Sequence, residues 1–249
     1  MEKLKLFIAF SISIFLLNSC NKENAPDCFR STGETVSESN ALSENITKII
    51  VYDNIGIRLI NTNESEFKRT LTGGKNLLND ITFEEENGVL TIKNENKCNW
   101  VREYTSFNII IESNSINHIY NYGSEGVIIE DFSGGSFTFE QESSLADNLI
   151  SFYGNELRIN MHTGAGTSDV NGEAEQLFLY SNGLSSIDAS KIISPDIFAN
   201  NSGRNNLITA PIDYMHAYIG GSGSILHNNP SASISTEIIG SGTLEYSDY

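Results

Sequence analysis

The chain has 249 residues, of which 15 are basic and 32 acidic, and its formal net charge is −17 at pH 7. This negative charge makes nucleic acid and anionic membrane surfaces poor partners. We expect the charge to serve solubility, with cation binding as the alternative. A single all-β domain of this length is ordinary, so length alone does not require two domains.

The first residues are expected to be an export signal that is not part of the fold. Lys3 and Lys5 provide a basic start, and the apolar run from Leu6 to Leu17 is too short to cross a bilayer. The sequence Leu17-Asn18-Ser19-Cys20 then resembles a bacterial lipobox. This resemblance implies a signal peptide over residues 1–19, cleavage before Cys20, and attachment to the membrane through a lipid on Cys20. An ordinary or uncleaved secretory signal is the alternative.

The residues after the lipid site bear on location. The segment Asn21-Lys22-Glu23-Asn24 partly resembles a surface-export signal of some Gram-negative bacteria. We therefore expect a cell-envelope protein that is lipid-anchored to the outer membrane, on either the cell surface or the periplasmic face.

Residues 20–43 are polar and are expected to form a lipid-anchored tether or a first edge strand, with the folded domain over residues 44–249. Two further cysteines, Cys28 and Cys98, belong to a chain sent to an oxidising compartment. No metal-ligand spacing surrounds either of them. A disulfide between Cys28 and Cys98 is therefore predicted.

The next segments show β-strand patterns. Residues 49–52 and 55–60 alternate in hydrophobicity, and Asn87-Gly88 between two apolar runs is a strong hairpin signal. Residues 76–80 are the one plausible helical turn of the mature chain. The apolar segment 107–111 is expected to lead into the first coil.

From Ile119 onward the sequence repeats, because a short apolar run breaks six times into a small turn rich in Gly, Ser and Asn. The turns recur about every 20 residues, if Ser144 fills one turn that lacks glycine; this period is typical of a solenoid. The runs are too short for helices and are β-branched or aromatic, which favours strands. The last glycines of the turns are Gly126, Gly166, Gly183, Gly203, Gly223 and Gly242.

These patterns predict an all-β fold, a single-domain parallel β-helix or β-solenoid with coils of about 20 residues, preceded by N-terminal strands and a hairpin. Pro195, Pro211 and Pro230 fall between successive glycine turns. A missing N–H is tolerated there, so these prolines are expected at corners of the coils.

Five segments carry a more specific resemblance, and Asn96-Lys97-Cys98-Asn99-Trp100-Val101-Arg102 lies in the most distinctive of them. Together they resemble the bacterial family called putative auto-transporter adhesin, head GIN domain, from about Asp27 to the C-terminus. The resemblance implies a lipid-anchored or secreted β-solenoid with an adhesin-like surface role, and it brings no catalytic residues. The segments span residues 27–34, 51–55, 73–77, 88–102 and 122–124.

Metal and catalytic sites find little support in the sequence. Gly220-Gly221-Ser222-Gly223 begins like a calcium-binding repeat, but Ile225 stands where that repeat needs an aspartate. The histidines His118, His162, His216 and His227 show no metal-ligand spacing, although His162 and His216 would approach if their coils stacked two apart. We expect no metal, no cofactor and no nucleophilic catalysis.

A polysaccharide-active enzyme is the main enzymatic alternative, because many β-helices belong to that class. Its chemistry needs carboxylates and basic residues gathered on one face. Basic residues are scarce in the coils, and Asp169, Asp188 and Asp213 are expected at different positions within their coils. We therefore expect that the protein is not an enzyme.

One pattern suggests a binding site. Phe178, Phe198 and Tyr218 recur at intervals of 20, each at the same distance before a turn glycine. Stacked coils would align them as a ladder. If the aliphatic neighbours fill the core, the aromatic residues form an outward strip for a glycan or a protein. Otherwise they belong to the core, or the N-terminal strands cover them.

The predicted function is that of a non-enzymatic, lipid-anchored cell-envelope protein, an adhesin-like binding or scaffold module for a surface glycan or protein. The alternatives are a polysaccharide-active β-helix enzyme and a periplasmic structural or sensory accessory protein.

Overall fold

A computed structural model describes residues 30–64, 66–97 and 106–248. The predicted signal peptide, the lipid site Cys20 and both cysteines of the predicted disulfide, Cys28 and Cys98, lie outside the described residues. Among the described residues, no helix has the length and hydrophobicity needed to span a membrane.

The described chain is almost entirely β-structure, in sixteen strands and one short 3-10 helix, Leu78–Asp80. That helix lies within the segment predicted to form a helical turn. The strands are β1 Thr35–Ala41, β2 Lys48–Val51, β3 Ile55–Ile60, β4 Lys68–Gly74, β5 Ile81–Glu86, β6 Val89–Asn94, β7 Phe107–Glu112, β8 His118–Asn121, β9 Val127–Gln141, β10 Asp147–Met161, β11 Thr167–Ser181, β12 Ser186–Asn201, β13 Leu207–Ile219, β14 Ile225–His227, β15 Ser233–Ile238 and β16 Leu244–Tyr246.

The long strands β9 to β13 stack in chain order as parallel neighbours. The two halves of a long strand belong to different faces of the solenoid and pair with different strands: the first half of β9 pairs with β3 and the second half with β8. The same division recurs at β13, whose halves pair with β14 and β15. Each coil is therefore one bent strand closed by a tight turn, which confirms the predicted β-solenoid.

The core lies between the two halves of the coils. On β10 the side chains of Leu157, Ile159 and Met161 are buried, whereas the residues between them are partly exposed. Leu157 pairs in register with Leu177 on β11, so like positions of successive coils form buried aliphatic ladders. These ladders give each coil the apolar contact that it could not make alone.

The turns also stack. Ser144 forms a parallel bridge with Gly164 of the next coil, which confirms that Ser144 occupies the turn that lacks glycine. Buried polar side chains follow the inside of these turns, and they are hydrogen-bonded. The amide of Asn148 donates to Gln141 Oε1 (2.8 Å) and to the carbonyl of Thr167 (2.8 Å).

The N-terminal strands do not stack in chain order. The strand β2 lies between β6 and β8, and β3 lies between β7 and β9. The first coil, formed by β2 and β3, thus lies between strands that all follow it in the sequence. Antiparallel strands β1, β4 and β5 complete this end of the solenoid.

Two sequence expectations concern this end. Residues 35–41 form an edge strand, the second of the two alternatives for the polar segment 20–43. The hairpin between β5 and β6 is also present, and its turn residues have positive φ, 51° at Asn87 and 80° at Gly88. These angles match the tight turns that favour Asn-Gly.

Candidate functional site

Phe178 on β11 and Phe198 on β12 face outward. Their neighbours Leu177, Leu179 and Ile197 are buried, so the aliphatic set fills the core. Phe198 is 36% exposed, and the N-terminal strands do not cover it. Of the three arrangements considered for these aromatic residues, the structure has the outward strip.

The two phenylalanines are paired in register and stack, with ring centroids 4.9 Å apart and planes inclined by 6°. Arg158, at the equivalent position of β10, lies with its guanidinium carbon 3.7 Å from the centroid of Phe178. His216 follows Phe198 on the other side, with ring centroids 6.4 Å apart. Two aromatic rings are thus flanked by a cation and an imidazole.

The prediction that Tyr218 continues this ladder is wrong. His216 pairs with Phe198, and Tyr218 pairs with Asn200 in the neighbouring row. Paired residues of β12 and β13 are 20 positions apart in the first halves of the strands (Ile187 and Leu207) but 18 apart in the second halves (Phe198 and His216). The corner of β13, the bend between its two halves, is therefore two residues shorter than that of β12. The position in register with Gly203 is consequently that of Gly221, whose added Cβ would be 1.9 Å from the carbonyl oxygen of Gly203, while the N–H of Gly223 donates to the same oxygen (3.0 Å).

A shallow groove of about 370 Å³ nevertheless brings Phe178, Phe198 and Tyr218 together, and we call it the aromatic groove. Two neighbouring rows of outward side chains line most of it. The lining residues are Arg158, Asn160, Phe178, Leu179, Tyr180, Phe198, Ala199, Asn200, His216 and Tyr218.

Two carboxylates lie in the row that adjoins the phenylalanines of the aromatic groove. Glu156 and Asp196 both pair with Gln176, so they stand on the side of the phenylalanines away from Tyr180. Glu156 Oε1 accepts a hydrogen bond from Arg158 Nε (2.7 Å), and Asp196 Oδ2 accepts one from Gln176 Nε2 (3.4 Å). Neither carboxylate lines the groove.

A second set of stacked rings lies on the same side of the solenoid, and we call it the aromatic row: Tyr52, Tyr122, Tyr120, His162 and Tyr180. The ring centroids of Tyr52 and Tyr122 are 5.0 Å apart, and those of Tyr122 and Tyr120 are 4.3 Å apart, with nearly parallel planes. His162 and Tyr180 lead from there to the aromatic groove.

The aromatic row and the groove together span seven neighbouring strand positions, or about 29 Å at 4.8 Å per strand. Burial and hydrogen bonds with Tyr122 and Glu142 raise the pKa of Tyr120, so its phenol stays neutral. The sequence repeat did not reveal the aromatic row, because Tyr52 belongs to the inserted first coil. The one sequence signal of the aromatic row is the placement of Tyr120 and Tyr122 at alternate positions next to a turn.

Glu140 lies between two histidines beside the aromatic row. Its carboxylate oxygens are 2.7 Å from Nε2 of His118 and 2.9 Å from Nε2 of His162. Burial opposes ionisation, but the hydrogen bonds from His162 and His118 outweigh it and hold the pKa of Glu140 below its ordinary value. Burial lowers the pKa of His118, although the bond with Glu140 acts in the opposite direction.

The remaining histidines have separate surroundings. His216 lies beside Phe198, and the buried His227 is 3.1 Å, at Nδ1, from the carbonyl oxygen of Asn229. Among the residues that the structure describes, no group of three or more His, Cys, Asp or Glu side chains could hold a metal ion.

The expectation that Asp169, Asp188 and Asp213 occupy different positions in their coils is wrong for the first two. Asp169 and Asp188 are paired in register on β11 and β12, because the register there is 19 residues and only later becomes 20. They lie on the first halves of these strands, whereas the aromatic groove lies on the second halves.

A larger groove of about 780 Å³ lies at the N-terminal end of the solenoid. Its charged lining is mostly acidic, with Glu44, Glu64, Glu66 and Glu112. Lys68 is the basic residue among its lining, and its Nζ is 3.0 Å from Glu112 Oε2. This groove does not contain the stacked surface rings that favour a binding role for the aromatic groove.

Comparison with known proteins agrees with this architecture. A family model described as putative auto-transporter adhesin, head GIN domain, matches residues 45–230 and confirms the resemblance found in the sequence. No curated protein matches the sequence significantly.

Several crystal structures share the fold. A putative adhesin from Bacteroides fragilis is similar with a TM-score of 0.78 and 19% identity, covering 87% of this chain and 99% of that one. A putative adhesin from Parabacteroides merdae gives a TM-score of 0.66 and 18% identity, covering 87% and 97%. A putative lipid binding protein from Parabacteroides distasonis gives 0.57 and 17%, covering 85% and 97%. At these identities the similarity concerns the fold alone.

Proposed function

The chain belongs to the putative auto-transporter adhesin, head GIN domain family, and from this premise we propose that it is an adhesin-like binding module of the cell envelope that contacts a surface glycan through the aromatic groove. The observation that carries the proposal is the outward stack of Phe178 and Phe198, with centroids 4.9 Å apart.

The composition of the aromatic groove suits a sugar chain. Phe178 and Phe198 cover each other's faces and present their outer edges to the groove. Exposed aromatic side chains contact the apolar faces of sugar rings, and a contiguous exposed patch of this kind is a common mark of a binding surface. The amides of Asn160 and Asn200 and the phenols of Tyr180 and Tyr218 stand in the row beside the phenylalanines. They are donors and acceptors within reach of sugar hydroxyl groups.

The same composition favours binding without catalysis. Hydrolysis of a glycosidic bond ordinarily needs two carboxyl groups that flank the bond. The aromatic groove is lined by no carboxylate, and its ionisable side chains are those of Arg158, His216, Tyr180 and Tyr218. A bound glycan would therefore be held there and not cleaved.

We further propose that the protein is anchored by a lipid on Cys20, in the outer membrane. The lipobox-like sequence before Cys20 supports this anchor, and the family supports a location at the cell envelope or surface. Protease treatment of intact cells should remove the domain if it faces outward. A Cys20→Ala variant should be lost from the membrane fraction.

The binding role can be tested with full-length protein solubilised in detergent and applied to a glycan array. Phe178→Ala, Phe198→Ala and Tyr218→Ala should each weaken binding. Tyr153→Ala is the matched control, since Tyr153 is 43% exposed but does not line the groove. Glycan binding unchanged by all three groove substitutions would refute the proposed site. Binding to host proteins instead, lost in the same variants, would replace the glycan with a protein partner.

A further inference from the structure

Arg158 is held in place beside the aromatic groove. Its guanidinium carbon lies over the Phe178 ring, 3.7 Å from the centroid, and its Nε donates to Glu156 Oε1 (2.7 Å). Within the described part of the chain, this guanidinium donates hydrogen bonds to Glu156 alone. Both terminal Nη groups are thus available, and the side chain is 40% exposed.

The geometry of this arginine matches a carboxylate. A guanidinium presents parallel N–H groups that bind carboxylates in a bidentate manner, and stacking on a ring keeps that plane oriented. The orientation is already fixed by Phe178 and Glu156 before a ligand arrives. Less conformational entropy is therefore lost on binding than with a free arginine.

The side chains that line the groove are compatible with the same ligand. The chain contains 32 acidic residues, yet none of them lines the aromatic groove. Glu156 and Asp196 stand in the row on one side of the phenylalanines. The row on the other side ends in Glu140 and Glu237, beside Asn160 and Tyr218. A ligand carboxylate therefore fits beside Arg158 towards the neutral Tyr180, between these two glutamates.

Glu156 competes for Arg158, but it does not occupy the whole guanidinium. It accepts from Nε, and both side chains are partly exposed, a setting in which ion pairs are weak. Recognition of a ligand carboxylate therefore depends on directed hydrogen bonds from the Nη groups more than on net charge.

We propose that the aromatic groove selects glycans that contain a carboxylated sugar, a uronic or sialic acid residue. The sugar ring lies against the outer edges of Phe178 and Phe198, and its carboxylate binds the Nη groups of Arg158. His216, beyond Phe198, contacts the next part of the chain. This inference rests on the proposed glycan-binding function and names the class of glycan.

The test uses full-length protein in detergent on an array of sialylated, uronate-containing and neutral glycans. Any acidic glycan that binds is then titrated beside its carboxyl-reduced form. The acidic form should bind at least tenfold more tightly, and Arg158→Gln should remove about that factor, the size expected for a charge-assisted hydrogen bond. Arg158→Lys should restore little of it, because lysine lacks the planar fork.

Arg204→Gln is the control for net charge, since Arg204 is exposed in a turn outside the groove. It should leave the preference for acidic glycans intact, and thermal unfolding should show that all variants are folded. Neutral and acidic glycans bound equally, with Phe198→Ala weakening both, would overturn the acidic class and leave the proposed function standing. No glycan bound, or binding insensitive to Phe198→Ala, would overturn both.

Discussion

Gly164 lies directly against Ser144 of the preceding coil, so that a Cβ added to Gly164 would be 2.2 Å from the carbonyl oxygen of Ser144. The backbone of Gly164 also has a φ of 108°, which side-chain-bearing residues rarely adopt. The turns of successive coils therefore stack closely only because this position carries no side chain.

We predict that Gly164→Ala lowers the free energy of unfolding by about 1–3 kcal/mol, through backbone strain and this collision. Denaturant unfolding followed by circular dichroism measures the change. Gly135→Ala is the matched control, because nothing lies within 4 Å of a Cβ at Gly135. A Gly164→Ala variant as stable as the control would contradict the tight stacking of these turns.

The buried ladders of the core predict that substitutions there lower the free energy of unfolding more than Gly164→Ala does. Phe139 is fully buried and pairs in register with Ile119 and Ile159, which are also fully buried. Phe139→Ala should cost about 3–5 kcal/mol, from lost apolar burial and the cavity that remains. Leu145→Ala, at a side chain 75% exposed, should change stability by about 0.5 kcal/mol or less. Equal effects of the two substitutions would argue against this core.

The bonds of Glu140 predict a dependence of stability on pH. The pKa of Glu140 is lowered from an ordinary value of 4.5, so the unfolded chain takes up this proton first as the pH falls. The stabilisation is complete above about pH 4.5 and is lost as the pH falls through the lowered pKa. His118 acts in the same direction, because burial lowers its pKa from 6.5 and folding then opposes its protonation.

Stability should therefore decline from neutral to acidic pH, first below pH 6.5 and again below 4.5. Chemical denaturation across this range measures the decline, and Glu140→Gln should flatten its acidic part. The exposed Glu175→Gln serves as the charge-matched control. An unchanged pH profile in the Glu140→Gln variant would show that the two histidines do not stabilise the carboxylate.

A disulfide between Cys28 and Cys98 stays a prediction from the sequence. In a chain-entropy description, a bond that closes a loop of about 70 residues stabilises a fold by about 4 kcal/mol. Peptide mapping under non-reducing conditions should recover the two cysteines as one linked pair, and reduction should separate them. Recovery of Cys28 and Cys98 as free thiols would refute the predicted disulfide.

Much of the architecture was accessible from the sequence because its signals are local. Alternation along a strand decides that Leu177 and Leu179 point to one side and Phe178 to the other, whatever the strand packs against. Small turn residues mark where the chain reverses, and Ser144 was identified by its place in the repeat. The solenoid followed from these signals, whereas the burial of Leu177 and Leu179 in the structure decided that Phe178 points outward.

Other features depend on counts of residues that only the folded coils decide. Tyr218 was predicted beside Phe198, but a shorter corner in β13 brings His216 there. The spacing of 20 between Gly203 and Gly223 concealed this change, because Gly223 stands two positions later in its turn: Leu207 pairs with Ile225, 18 residues on. Asp169 and Asp188 came into register because a turn one residue shorter precedes Asp188 and a bend one residue longer follows it, so that the two changes cancel.

By itself, the sequence determined that this chain folds into stacked β-coils whose aliphatic and aromatic residues point to opposite sides, since alternation and turn chemistry act within a few residues. Only the tertiary structure decided which coils are neighbours, where Tyr52 joins the aromatic row, and how Arg158 lies over Phe178. Those relationships depend on the position of β2 and β3 between later strands and on the number of residues in the bend of each coil. Packing between segments that are distant in the sequence decides both.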